Sequence, residues 1–334
     1  MGAGFSRGNL SGDARRCNGK LKSMSSTFIL SATLPVYFMM VAGALMRKFG
    51  YLPKETDSGI VSLATRLLFP CLALERIIGN PALNNAGEVF LNASLGFGLV
   101  TATIFVSYAL TPLLGIKRGE GARTFGLCTG IQNYGFVAIP VIEALFGKEY
   151  IGVLFTYSLG VEAAMWTVGV GILTGFSKAP WRHVLTPPVL SIVIALLLHY
   201  AGAAAYIPDS AHKLMGQLGA CAIPLSVLLI GATIMDLIGT ERVRWNVVVS
   251  SAVLRIFLLP WALLLAAAFL PLSLEMKRIF CVQASMPAAV FTVVLARHYG
   301  GHAATAVLVI LSTTVVGIFT MPFAIGFAMK WLGV

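Results

Sequence analysis

Long apolar runs, punctuated by Gly, Pro and clusters of charge, divide this chain into ten segments: 28–46, 57–78, 88–115, 122–146, 149–174, 183–202, 211–238, 246–270, 276–298 and 302–331. A membrane-crossing helix needs about 20 mostly apolar residues. Each segment meets that length, so the pattern predicts an all-α membrane protein with ten transmembrane helices. Two segments break their own pattern. Segment 4 contains "GIQNYGFVAIP", Gly130 to Pro140, and segment 9 contains "CVQASMPAAVF", Cys281 to Phe291.

Shifting the chain by about 153 residues aligns Pro35 with Pro188, Cys128 with Cys281 and Gly147 with Gly300, and brings Pro70 within one residue of Pro224. The pattern reads as two halves of five segments, 27–176 and 177–334, behind a leader at 1–26 that is expected to be disordered. Five is odd, so the second half enters the membrane in the opposite sense: two inverted five-helix repeats, an arrangement of many secondary transporters.

A proline inside a helix removes a backbone hydrogen bond and crowds the preceding turn, and lipid offers the freed groups no replacement. Breaks at matching places in segments 4 and 9 therefore mark a binding site in protein or a watery cavity. Pro140 and Pro287 are each expected to begin a second half-helix, whose N-terminus carries unpaired N–H groups and about half a positive charge. Gln132, Asn133, Tyr134, Gln283 and Ser285 add neutral donors without the cost of burying a cation, while Gly130 and Gly135 let the chain unwind. The donor set suits a carboxylate or similar small anion.

"IQNYGFVAIPVIEALFG" and "MPAAVFTVVLARHYGGHAATAVLVILSTTVVGIFTMP" resemble the auxin efflux carrier family, which includes plant PIN-type carriers and bacterial organic-acid permeases. The motif positions are Asn133, Gly135 and Pro140, then Met286, Pro287, Leu295, Ala296, Tyr299, Gly300, Ser312 and Thr313, with "RIFLLP" (Arg255 to Pro260) in segment 8. The resemblance covers nearly all of the chain after the leader, and its fold is shared with bile-acid symporters and sodium/proton antiporters. It implies that segments 4 and 9 cross at their breaks and that segments 1, 2, 6 and 7 form a dimerising scaffold. Segments 3–5 and 8–10 would form a transport domain that shifts like an elevator. It also implies an organic-anion substrate, auxin-like or a dicarboxylate. With the donors read from the breaks, the binding candidates are Gln132, Asn133, Tyr134, Gly135, Pro140, Gln283, Ser285, Met286 and Pro287. This chain departs from the family in Tyr134, where a smaller residue is frequent, and in having no asparagine in the second break.

Ionisable residues deep in a span are functional candidates. Glu162 lies mid-segment 5, Arg66 mid-segment 2 and Arg255 inside segment 8, while Glu143 is placed in the first turn after Pro140. Glu162 or Glu143 is a candidate to carry a coupling proton, and Arg255 to pair with a carboxylate; structural ion pairs are the plainer reading. Glu75, near the end of segment 2, reads as an interfacial charge. Uniport driven by membrane potential and proton-coupled transport both stay open, and the nearest rival is a sodium-coupled symporter of bile-acid type, which would need oxygen ligands beside both breaks.

Composition excludes more than it selects. With 57% hydrophobic and 11% charged residues, a soluble domain is excluded. The net charge of +11 reflects topology rather than nucleic-acid binding, because the basic residues are spread over loops. Arg47, Lys48, Lys54, Lys117, Arg118, Arg123, Lys178, Arg182, Arg242, Arg244 and Arg297 follow odd-numbered segments. Only Arg76, Lys148, Lys213, Lys277, Arg278 and Lys330 lie on the other side, which points both termini away from the cytoplasm. The basic leader opposes that orientation, and Met24 is a candidate start that would remove the conflict.

The cysteines at 17, 71, 128, 221 and 281 form no C-x-x-C pair, and the four inside apolar runs are expected to be small buried hydrophobes. "GFSRG" in the leader matches a hydrolase elbow without the strand and helix it needs. His199, His212, His298 and His302 lack ligand spacing, and no metal-protease, phosphate-loop or dinucleotide fingerprint appears. No cofactor is expected, and a membrane enzyme or a sensor is disfavoured.

Overall fold

The computed structural model describes residues 26–176 and 184–334. The leader and the loop residues Lys178 and Arg182, on which part of the topology expectation rests, lie outside the described residues. Among those described, all regular structure is helical. In chain order the helices are α1 (Ser26–Lys48), α2 (57–77), α3 (Ala86–Ala109), α4 (Ala122–Gly130), α5 (Ala138–Phe146) and α6 (Glu149–Thr174). They continue with α7 (Pro187–Tyr200), α8 (Asp209–Leu237), α9 (Trp245–Phe269), α10 (Leu274–Ala284), α11 (Thr292–His298) and α12 (Ala303–Leu332).

Six of these, α1, α3, α6, α8, α9 and α12, are long and apolar enough to cross a membrane. The helix α7 is apolar but shorter, and α2 carries Asp57, Arg66, Glu75 and Arg76. Segments 4 and 9 are each split, into α4 with α5 and α10 with α11.

Local chemistry sets the helix ends. The side chains of Asn85, Thr186, Ser273 and His302 accept hydrogen bonds from first-turn N–H groups of α3, α7, α10 and α12. Two helices widen into a π-helical turn just before a proline: Ala64–Leu68 before Pro70 and Leu254–Leu258 before Pro260. Proline crowds the carbonyl four residues earlier, here Arg66 and Ile256, and the wider turn makes room for it. A third such turn, Met165–Gly169, precedes no proline.

The helices α1, α2, α7 and α8 pack on one another, and α3–α6 pack with α9–α12. The long contacts α1–α8 and α3–α6 use the same device. A Cβ on Gly43 would lie 1.9 Å from the Leu228 carbonyl oxygen, and one on Gly231 would lie 1.8 Å from that of Met40. Between α3 and α6, a Cβ on Gly96 would lie 2.2 Å from the Tyr157 carbonyl oxygen and one on Gly160 1.8 Å from that of Ala93. Between helices in lipid there is little hydrophobic drive, so close backbone approach through such small residues supplies the contact. At one end of the first group, Asp236 of α8 faces Arg47 at 3.4 Å and Lys54 at 3.5 Å, while Arg47 also bonds Asp57 at 2.5 Å.

The cysteine expectation holds only in part. Cys128 and Cys281 are buried, but Cys71 is half-buried and Cys221 is exposed on α8, because an apolar run in a membrane protein faces lipid as readily as core.

Gly160→Val should collide with backbone on α3 and lower thermal stability by about 3 kcal/mol. Gly98→Ala, where a Cβ meets open space, should be neutral or slightly stabilising. Thermal unfolding of both variants in detergent checks the contrast; equal losses would show that glycine is not needed for the α3–α6 approach.

Candidate functional site

Each interruption must dispose of backbone groups that no helix satisfies. After Gly130 the chain turns extended at Ile131. Gln132 and Ala288 then form an isolated antiparallel bridge. The Asn133 N–H donates to the Pro287 carbonyl at 2.8 Å, and the Ala289 N–H donates to the Ile131 carbonyl at 3.0 Å. The two interruptions thus lie against each other and complete each other's hydrogen bonds.

Neighbouring side chains serve the remaining groups. The Thr313 hydroxyl accepts from the Ala288 N–H at 3.2 Å. At the carbonyl end of α4, the Thr103 hydroxyl donates to Gly130 at 2.8 Å. Arg255 Nη1 reaches the Gly130 and Thr129 carbonyls at 3.4 and 3.5 Å. Arg255 is fully buried, and its Nε and Nη2 have no hydrogen-bond partner among the described residues.

Several expected roles change. Arg255 pairs with no carboxylate among the described residues; its positive charge stands at the negative end of α4, a favourable placement against the helix dipole. The second half-helix of segment 9 begins at Thr292, not at Pro287, which stays in the extended link where its missing N–H costs nothing and its carbonyl takes a hydrogen bond. That half-helix has seven residues and its first N–H groups bond to Ala289, Val290 and Phe291, so it offers no free N-terminal turn. Pro140 is the third residue of α5. Glu143, one turn further on, is not in the first turn and is instead held by Arg76 Nη2 at 3.0 Å. Arg76 also pairs with Glu75 at 2.9 Å, and Arg66 is exposed.

The glycines do not supply unwinding either. Neither Gly130 nor Gly135 has a positive φ. Gly130 is needed for close packing, since a Cβ there would meet the Ile104 Cα at 2.5 Å, whereas one on Gly135 would meet nothing.

The polar candidates divide into occupied and available groups. Gln132 donates to the Tyr157 hydroxyl at 2.7 Å, Gln283 Nε2 to the Tyr134 carbonyl at 3.0 Å, and Ser285 to the Cys281 carbonyl at 3.0 Å. Met286 is fully buried. The Tyr134 hydroxyl donates to Glu162 Oε1 at 2.5 Å, and Trp166 Nε1 donates to Glu162 Oε2 at 3.0 Å. Both oxygens of that carboxylate are therefore engaged, and Tyr134 points at α6. Asn133 differs: its Oδ1 accepts only at 3.5 Å from the Val137 N–H, and its amide nitrogen donates to none of the described residues.

Asn133 lines a crevice together with Val137, Pro287 and Val290 of the interruptions, Tyr37 and Met40 of α1, Ile230 of α8, and Thr314 of α12. The free volume is about 10 Å³, enough for about one water. The Thr314 hydroxyl has no hydrogen-bond partner among the described residues. Tyr37 and Thr314 escaped the sequence reading. Their only signals are a tyrosine two residues after Pro35 and a threonine extending the Ser312-Thr313 pair.

Comparison with known proteins agrees with this architecture. A family model described as membrane transport protein matches residues 28–176 and 172–325. An uncharacterized transporter of Methanocaldococcus jannaschii is 22% identical over 279 residues, covering 81% of this chain and 89% of its own. With a family model matched over most of its length and six apolar helices of spanning length, this chain belongs to the membrane transport protein family of auxin efflux carrier type and is a multi-pass integral membrane transporter.

Proposed function

We propose that the chain is a secondary transporter of small organic anions, working by alternating access around the crossing of α4/α5 with α10/α11. The observation that carries this reading is the crevice itself. It lies between the two helix groups, with Tyr37, Met40 and Ile230 on one wall and Asn133, Pro287 and Thr314 on the other. A substrate seated there would touch both groups, so movement of one against the other would expose it to either side in turn. The present free volume holds about one water, so seating a carboxylate there requires the two groups to move apart.

On this reading the ten segments form two inverted repeats, 27–176 and 177–334. The group α1, α2, α7 and α8 is the scaffold and the site of homodimer contact, and α3–α6 with α9–α12 is the moving body. The pair Arg76–Glu143 joins the two groups and must part during the shift.

The lining favours a particular kind of anion. It carries no charged side chain; apolar residues predominate, and Asn133, Thr314 and Tyr37 are the polar ones. Neutral donors would hold one carboxylate, while a second carboxylate would face apolar walls. A monocarboxylate with an apolar body fits better than a dicarboxylate. A thermal-shift screen of both classes, with and without sodium, should show stabilisation by apolar monocarboxylates; stabilisation by dicarboxylates alone would reverse the assignment.

Asn133→Ala should abolish that ligand-induced shift and leave the unliganded melting temperature within a few degrees of the parent. Retained affinity would remove Asn133 from the site.

Glu162 is bound to the residue after Asn133, so its protonation is coupled to the shape of the interruption. If it carries the coupling proton, Glu162→Gln should flatten the pH dependence of transport in proteoliposomes, and an unaltered pH profile would exclude it.

A further inference from the structure

A second cleft lies at the end of α3, away from the crevice, with a volume of about 490 Å³. Its walls are mainly Tyr108, Ala109, Pro112 and Ile116, and Lys117 and Arg118 stand at its rim. It is a half-open surface cleft along one stretch of chain, residues 108–118, with apolar and polar groups side by side.

Three features specify what fits. First, the loop that carries the two exposed cations is tied down without their being neutralised. Asn246 Nδ2 donates to the Gly115 carbonyl at 3.2 Å and Arg244 Nη2 to the Glu120 carbonyl at 3.0 Å, tying the loop down on either side of Lys117 and Arg118. Among the described residues neither side chain has an ion-pair partner. The loops 110–121 and 238–244 with the first turn of α4 carry Lys117, Arg118, Arg123, Arg242 and Arg244 against Glu120 and Glu241.

Second, the cleft sits at headgroup depth. The apolar helix α3 ends at Ala109 and α9 begins at Trp245, which is 71% exposed, the residue type that favours the membrane–water interface. Third, an apolar path leads from the cleft into the hydrocarbon, since Phe105 and Val106 are exposed on α3 one turn deeper.

We propose that this cleft binds an anionic glycerophospholipid, with its phosphate between Lys117 and Arg118 and its acyl chains along Phe105 and Val106. A charge pair for phosphate at the interface, above an exposed apolar track, matches a lipid better than a soluble anion, which would leave the track unused.

The test is lipid retention by the full-length protein, measured by native mass spectrometry after release from phosphatidylcholine nanodiscs with and without phosphatidylglycerol. The parent should keep phosphatidylglycerol in preference to phosphatidylcholine. The double variant Lys117→Gln/Arg118→Gln should lose that preference by about thirtyfold, the order expected for two basic residues at an anionic surface. The charge-matched control Lys213→Gln/Lys277→Gln should behave as the parent. Equal retention of the two lipids, or a preference unchanged in the double variant, would overturn the proposal. So would inorganic phosphate alone stabilising the protein as much as phosphatidylglycerol does, because the cleft would then read a free anion.

Discussion

Within a bilayer every backbone N–H and C=O needs a protein partner, and this single constraint organises the molecule. The two interruptions meet it by hydrogen-bonding each other, Asn133 to Pro287 and Ala289 to Ile131. Neither break could exist alone at that depth. Their mutual contact fixes where α4, α5, α10 and α11 sit, and the supporting side chains of Thr103, Thr313 and Arg255 come from α3, α12 and α9 to close what remains.

The contact also determines what is left for a ligand. Most side-chain donors near the breaks are used by the structure: Gln132 Nε2 by Tyr157, Gln283 Nε2 and the Ser285 hydroxyl by carbonyls, and the Tyr134 hydroxyl by Glu162. The ones that face the crevice are few and neutral. On the proposed reading, such a site would hold an anion by donors without a fixed counter-charge. Desolvation of the empty site then stays inexpensive, and Arg255, fully buried nearby, is spent on the end of a helix.

The two glycine-mediated contacts divide the remaining work. Gly43 with Gly231 joins α1 to α8, and Gly96 with Gly160 joins α3 to α6, each within one helix group. Between the groups the crevice is lined by larger, mostly apolar residues, and the ties include the ion pair Arg76–Glu143, the hydrogen bond from Asn80 Nδ2 to the Glu149 carbonyl and the close approach of Gly152 to the Arg76 carbonyl.

The sequence by itself determined the apolar segments and the places where two of them break, because hydropathy over about 20 residues and the absent N–H of proline are local properties. Only the tertiary structure decided which donors remain available. Gln132, Asn133 and Tyr134 are neighbours in sequence, yet one is bound to Tyr157, one faces the crevice and one reaches Glu162, according to which helix packs beside each. Tyr37 and Thr314 line the crevice for the same reason: they come from α1 and α12, remote in the chain, and only the approach of those helices to the interruptions places them beside Asn133 in its lining.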